Sequence, residues 1–442
     1  MSAERLVHAL DLARRCDGSR PIEQCWIGHD AATALAAHIR ALGAAEVLVT
    51  ADENTRAATD DCVVRALRDA GVRCREKIHG AGPLDASDAL GDETAAAAEG
   101  ADAVVAVGAG TLCDLAKYAG DRLGLPAVLY ATAASMNGYT SGITAIKVRG
   151  LKRTVPCRPA HAVFANPETV AAAPQRMAAA GLADFLSKCS ASADWAAAHF
   201  LRDEYYDPNA LQFYDGLVDR AVEVAPRVGQ GDPEAVAFLL EALLLSGLSM
   251  LAAGSSSPAS GGEHLISHYI DMKSSLYGAP HDLHGAQVGV ATVHCLELWR
   301  RVTTLDPAQI DPDAIARAQP DDAIVRGWID ADWGAVADEV WAQWQRKARS
   351  RDTLRDEAAR VQRELADLRA RVQADLLPPE VVAQAIRDAG GPDRPEQLDA
   401  PLDTYADACA RARFIRDRFT VLDLAAGLGI ATAREHQPRR SR

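Results

Sequence analysis

Three short apolar runs punctuate the first third of the chain: AEVLVTAD (residues 45–52), ADAVVAVGAG (101–110) and LPAVLYAT (125–132). Each is rich in Val, Ala and Leu, too short for a helix and bounded by glycine or polar residues, which predicts strands buried on both faces. Between the first two, NTRAATDDCVVRALRDAG repeats its apolar positions at helical spacing and predicts one helix over 54–71. Strands alternating with helices imply a parallel sheet with helices on its faces. After FANPETVAAAP (164–174) the strand signals thin out, and segments such as AVAFLLEALLLSGLSMLAAG and LHGAQVGVATVHCLELW predict a helical remainder. The expected architecture is an α/β domain over 1–170 followed by an all-α domain over 171–442. Within the latter, residues 335–377 are highly charged, with Leu354, Val361, Leu365, Leu368 and Val372 at near-heptad intervals. Too few repeats are present to establish a coiled coil, so the stripe is expected to lie on the body of the domain, a coiled hairpin or oligomer contact being the alternative.

Composition narrows the function. The 442 residues are 48% hydrophobic and 24% charged, as in an ordinary globular protein. A net charge of −14 argues against a nucleic-acid surface, while leaving room for a local basic pocket that takes an anionic metabolite. Apolar stretches are interrupted by glycine or charge before the ~20 residues a membrane crossing needs, so no span is expected. The start, MSAERLVHALDLARRC, carries charges throughout and lacks the apolar core of a signal peptide. Nine cysteines, an odd number without a CxxC pair, fit buried thiols in a reducing cytoplasm. A homo-oligomer, by default a dimer, is the expected assembly.

The chemistry concentrates in three places. In VVAVGAGTLCDLAKYAG (104–120) a strand turns through Gly108 and Gly110 into a helix opened by Thr111. Glycines there let backbone amides approach a phosphate, and the helix N-terminus favours negative charge; a tight turn without ligand is the plain alternative. The next strand ends in TAASMNGYTS (132–141), and ligands of parallel sheets lie beyond the carboxyl ends of strands. Asp52 ends the first strand, either as an acceptor for a ribose diol or as an exposed loop acid. The third place is GGEHLISHYI (261–270), where His264 and His268 stand four apart and would share one helix face. Glu263 precedes His264 rather than following it, so the pair is not the zincin protease motif. Five of the twelve histidines, His264, His268, His281, His284 and His294, fall between residues 264 and 294.

Taken in order, VTADENT, VGAGTLCDLAKY, TAASMNGYTS, KRTVPCRPAHAVFANPE, GLADFLSKCSASADW, SSSPASGGEHLISH, LHGAQVGVATV and FIRDRFTVLDLA resemble the sn-glycerol-1-phosphate dehydrogenase family, in its bacterial branch. That family lies within the dehydroquinate synthase-like and iron-containing alcohol dehydrogenase superfamily. The resemblance covers nearly the whole chain. It implies a Rossmann-like nucleotide domain and a helical domain with the active site between them, NAD or NADP as coenzyme, one divalent metal, and a small phosphorylated metabolite as substrate. By position, it assigns the nicotinamide nucleotide to Gly110–Asp114, including Thr111, and to Thr132 through Ser135, with Ser141 nearby, and the metal to Asp184, His264 and His284. His268 is implied to contact substrate, with orientation of His264 as the alternative role. His281 and His294 are left structural. Asp plus two imidazoles leave coordination positions open, as a catalytic metal requires, and suit zinc, nickel or iron. The sequence around Asp184 looks like a carboxylate early in a helix, favoured there by the macrodipole, so its role rests on the resemblance alone.

Three departures accompany the match. Asn137 stands where relatives carry an aspartate that contacts substrate; the amide keeps the shape but exchanges charge for donor capacity, leaving either an altered substrate or a tolerated near-isostere. Asn166 also replaces an aspartate, and Ala183 a glycine beside Asp184. The function expected is reduction of a phosphorylated ketone, by default dihydroxyacetone phosphate to sn-glycerol 1-phosphate. A redox-neutral cyclase or lyase that oxidises its substrate transiently is one alternative, and a non-catalytic nucleotide-binding protein another.

Overall fold

The computed structural model describes residue 6 and residues 9–11, 22–82, 84–148 and 151–431. Its central sheet holds six parallel strands in the order β1 (Gln24–Ile27), β8 (Ala162–Ala165), β5 (Ala127–Ala131), β4 (Ala103–Gly108), β2 (Glu46–Asp52) and β3 (Arg73–His79). The three strands expected from the sequence, β2, β4 and β5, are neighbours at its centre. Every residue of β4 and β5 is buried, the mark of strands covered on both faces. The edges are polar or short: β3 reads RCREKIH, and such charge protects an open edge. An antiparallel hairpin, β6 (Ile143–Val148) with β7 (Leu151–Pro156), stands outside the sheet.

The single helix expected over 54–71 is two, Glu53–Thr59 and Cys62–Asp69. The chain breaks at Asp60 and Asp61, both left-handed (φ 46° and 51°), a conformation short acidic side chains tolerate. Arg56 secures the break by holding Asp61 through two hydrogen bonds of 2.8 and 3.1 Å.

Beyond β8 the described residues are helical. The helix Pro233–Ala252 is long and apolar enough to cross a membrane by length and composition, contrary to the interruption expected from the sequence, yet 78% of its most apolar stretch is buried inside the protein. The charged segment behaves as expected: Val361, Leu365, Leu368 and Val372 of the helix Arg351–Val372 bury their stripe in the helical core. The sequence carried no warning of the kink at Glu364 in that helix.

Helices and sheet meet at very close range where the site forms. A Cβ on Gly181 would lie 1.9 Å from the Ala134 carbonyl oxygen, and one on Gly247 2.0 Å from Thr140 Oγ1. Only glycine lets the helix Gln175–Leu186 reach the loop after β5. Gly181→Ala is expected to destabilise the fold by about 3 kcal/mol, the upper range for overpacking, in chemical denaturation; stability equal to wild type would show that the two layers part easily. Ala183 is accommodated by Gly289, whose missing Cβ would sit 2.6 Å from the Ala183 methyl.

Candidate active site

A cavity of about 790 Å³ opens beyond the carboxyl ends of β2, β4 and β5, walled on the other side by the helices. Parallel sheets bind ligands at this edge. The nucleotide candidates line the sheet side and the histidines the helical side.

On the sheet side, β4 ends at Gly108 and the helix Gly110–Leu123 starts at once, with Ala109 as an N-cap that has no side chain to satisfy the first amides. A Cβ on Gly108 would strike Leu112 at 2.4 Å, so the tight turn requires glycine. The Thr132 amide bonds the Gly108 carbonyl at 3.2 Å and ties the two strand ends into one ledge. Gly110, Thr111, Thr132 and Ser135 face the cavity. Asp114 and Ser141 also border it but are engaged: Asp114 Oδ2 accepts from the Ala145 amide at 3.2 Å, and the Ser141 hydroxyl donates to the Gly138 and Ile143 carbonyls. They pin the β6–β7 hairpin and the Asn137 loop in place. Asp52 caps the helix Glu53–Thr59 through Oδ1, which accepts from the Thr55 amide at 2.7 Å, and borders the cavity as well.

On the helical side the structure brings Asp184, His264 and His284 together: one ligand atom from each lies within 4.8 Å of the others. The helix Gly262–Tyr277 presents His264 and His268 on one face, as their spacing predicts. Its first turn is anchored by buried Asp194, which accepts from the Gly262 and Val421 amides at 2.8 and 2.9 Å. The Gly261 position leaves no room for a Cβ, which would fall 2.5 Å from Asp194 Oδ2.

Each member of the triad is oriented from behind. His264 Nδ1 lies 3.0 Å from the buried Glu263 carboxylate, turning Nε2 toward Asp184 Oδ1 at 3.4 Å. His284 Nδ1 is 3.1 Å from Ser267 Oγ. Asp184 Oδ2 accepts from the Asn137 backbone amide at 3.1 Å, whereas Oδ1 is buried without a hydrogen bond among the described residues. Such an orphaned carboxylate oxygen facing two imidazoles, each held at its far nitrogen, fits a divalent cation with nitrogen and oxygen ligands. Burial alone would raise the Asp184 carboxyl, but the Lys188 ammonium, His264 and His284 outweigh it and hold it well below the carboxylate range. Asp184 is therefore ionised and ready to ligate.

Asp184 also corrects the sequence reading, for it lies near the C-terminal end of the helix Gln175–Leu186, where the dipole disfavours a negative charge. Fully buried Lys188, one turn on, supplies the offset: its Nζ is 3.6 Å from Oδ1 and donates to the Asp184 carbonyl at 2.8 Å. Lys188 was not singled out from the sequence, and Glu263 was noted only as excluding the zincin motif. The i,i+4 spacing of Asp184 and Lys188 was the available signal for the first.

His268 borders the cavity with its ring 5.6 Å from that of His284 and nearly parallel to it. Burial, then His284, Arg416 and His264, push its pKa well below the usual imidazole value, so it is neutral near pH 7. His281, left structural in the sequence, also lines the cavity, 3.4 Å from the Asp271 carboxylate; His294 is not among the lining residues. Asn137 lies on the wall between ledge and triad. Asn166 shows why an amide suits its place: Oδ1 caps the helix Pro167–Ala171 while Nδ2 donates to the His29 carbonyl at 3.2 Å, a bond an aspartate could not make.

The fold is of the iron-containing alcohol dehydrogenase and dehydroquinate synthase-like type. Residues 26–174 match the family model described as iron-containing alcohol dehydrogenase. Over the whole architecture the chain is similar to an iron-containing alcohol dehydrogenase from Corynebacterium glutamicum (TM-score 0.56, 15% identity, 93% of this chain and 98% of that one). Curated relatives are nearer in sequence. The glycerol-1-phosphate dehydrogenase [NAD(P)+] of Geobacillus stearothermophilus is 32% identical over 68% of this chain and 76% of its own. That of Halalkalibacterium halodurans is 34% identical over 63% and 71%. The chain belongs to the glycerol-1-phosphate dehydrogenase family.

Proposed function

We propose that the protein reduces dihydroxyacetone phosphate to sn-glycerol 1-phosphate with NADH or NADPH, using one divalent cation held by Asp184, His264 and His284. The observation that carries this reading is the convergence of those three side chains at the helical wall of the cavity, which His264 and His284 line, with the uncapped helix N-terminus at Gly110 on the sheet side. Residues 1–170 would hold the nucleotide, and 171–442 the metal and substrate. Zinc suits one carboxylate and two imidazoles, and the same donors serve nickel or iron.

When bound, the cation polarises the ketone oxygen and the reduced nicotinamide provides the hydride. The chain's own residues do the rest. The amides at Gly110 and Thr111 receive the pyrophosphate at a helix N-terminus. Thr132 and Ser135 position the nicotinamide end along the ledge. His268, itself neutral, would hydrogen-bond the substrate oxygen and relay a proton from solvent to it, gaining one at its second ring nitrogen as it gives one up, and the enclosing walls align the reacting atoms and limit bulk water.

Steady loss of absorbance at 340 nm with dihydroxyacetone phosphate, abolished by chelation and restored by metal, is the expected result. Product formed without net coenzyme turnover would replace the dehydrogenase by a redox-neutral cyclase or lyase. Asn137→Asp separates specificity from catalysis. With the metal site intact, it is expected to shift kcat/KM toward dihydroxyacetone phosphate over other phosphorylated ketones by about tenfold, the order of one hydrogen bond to a charged group. An unchanged preference would mean that the Asn137 side chain does not touch substrate.

A further inference from the structure

A phosphorylated substrate and a dinucleotide place two anionic groups in one cavity, and the helix N-terminus at Gly110 serves only the second. The first needs a cation near the triad that is not already neutralised. Lys117 is buried and donates to the Gly138 and Ile143 carbonyls at 2.8 and 2.6 Å. Lys188 is committed to Asp184 and to the Ala259 carbonyl. Lys147 lines the cavity but holds Asp85 at 2.6 Å.

Among the described residues, what remains is the Arg416-Asp417-Arg418 segment. Arg418 is fully engaged with the cavity wall, donating through Nη1 to the Ser260 carbonyl and through Nη2 to Ser256 Oγ at 2.8 Å. Arg416 stands behind the cavity wall and has one hydrogen bond among the described residues, a long one of 3.4 Å to Thr154 Oγ1, which lines the cavity. Its charge reaches His268, and burial outweighs Asp417 in its surroundings, with Arg153 adding to the unfavourable field. Asp417 is held by Arg346 at 3.4 Å, and Arg153 by Glu339 at 2.5 Å. Arg418 feels burial first and then Arg416. Two adjacent guanidiniums with one shared, otherwise engaged acid form a positive spot in a chain of net charge −14. A planar fork with most of its donors unspent matches a phosphoryl group.

We propose that Arg416, backed by Arg418 and by the Ser256 and Thr154 hydroxyls, receives the substrate's phosphoryl group and makes the enzyme select phosphorylated over free ketones. The inference rests on the dehydrogenase reading for its substrate, but its anion chemistry is tested separately. In the metal-loaded full chain, Arg416→Gln is expected to lower the ratio of kcat/KM for dihydroxyacetone phosphate to that for dihydroxyacetone about a hundredfold, the order of a lost charge-assisted contact. Arg416→Lys, which keeps the charge without the fork, is expected to lower it about tenfold and serves if the glutamine variant does not fold. Calorimetric titration of inorganic phosphate into the NAD-loaded protein is expected to show binding to wild type and none to Arg416→Gln. An unchanged ratio or undiminished phosphate binding overturns the proposal. If wild type reduced neither ketone while phosphate binding still required Arg416, the assigned reaction would fall and the anion site would stand.

Discussion

His264→Ala and His284→Ala are each expected to lose the bound metal and the reductase activity together, with activity falling at least a thousandfold. Either change leaves two protein ligands where a catalytic site of this kind uses three. The two variants differ in stability. His264 is buried between the Asp184 and Glu263 carboxylates, and both raise its pKa against the opposing effect of burial. Removing it leaves two buried acids facing each other with Lys188 as the nearest cation, a loss on the order of 3 kcal/mol by analogy with broken buried ion pairs. The His284 side chain is 30% exposed, with Nδ1 3.1 Å from Ser267 Oγ and 3.9 Å from Asp271 Oδ2, so its removal is expected to cost less than that of His264, about 1.5 kcal/mol, the range for a single hydrogen bond. Metal analysis, the 340 nm assay and urea denaturation on the same preparations decide the matter. A variant that kept one metal per chain would remove that histidine from the ligand set.

His268→Ala is expected to behave in the opposite way, keeping the metal and lowering kcat by about 10²–10⁴, the range for a lost general acid or base. Its geometry separates it from the ligands. His264 and His284 each have one nitrogen held by a neighbouring side chain, whereas the buried Nδ1 of His268 has no hydrogen-bond partner among the described residues. A neutral imidazole on the cavity wall is suited to proton exchange with a bound hydroxyl or alkoxide. A helper that merely oriented His264 would show itself differently: metal would leave with the side chain, and activity would return on adding excess metal.

Much of this arrangement was legible in the sequence where it depended on neighbours along the chain. The central strands show because both faces are buried and their residues are uniformly apolar, whereas β3 is hidden by the charges that protect its edge. The His264–His268 pair shows because four residues bring a helix face round again. The stripe ending at Val372 shows for the same reason, and it packs on the helical body. Asp184 was identifiable only by resemblance, since its meaning depends on Lys188, His264 and the Asn137 amide, contacts set by packing between layers. Arg416 carried no local signal either. Its significance lies in how few acceptors it meets among the described residues, which only three dimensions reveal. The break at Asp60–Asp61 was missed because apolar periodicity continues across it while the backbone does not.

The most direct measurement is anomalous diffraction at the zinc edge from crystals of the full chain soaked with zinc. The expected result is one strong peak about 2.0–2.2 Å from an Asp184 carboxylate oxygen and a ring nitrogen of each of His264 and His284. A peak bound elsewhere, or density showing the three side chains turned apart with no ion among them, would contradict it.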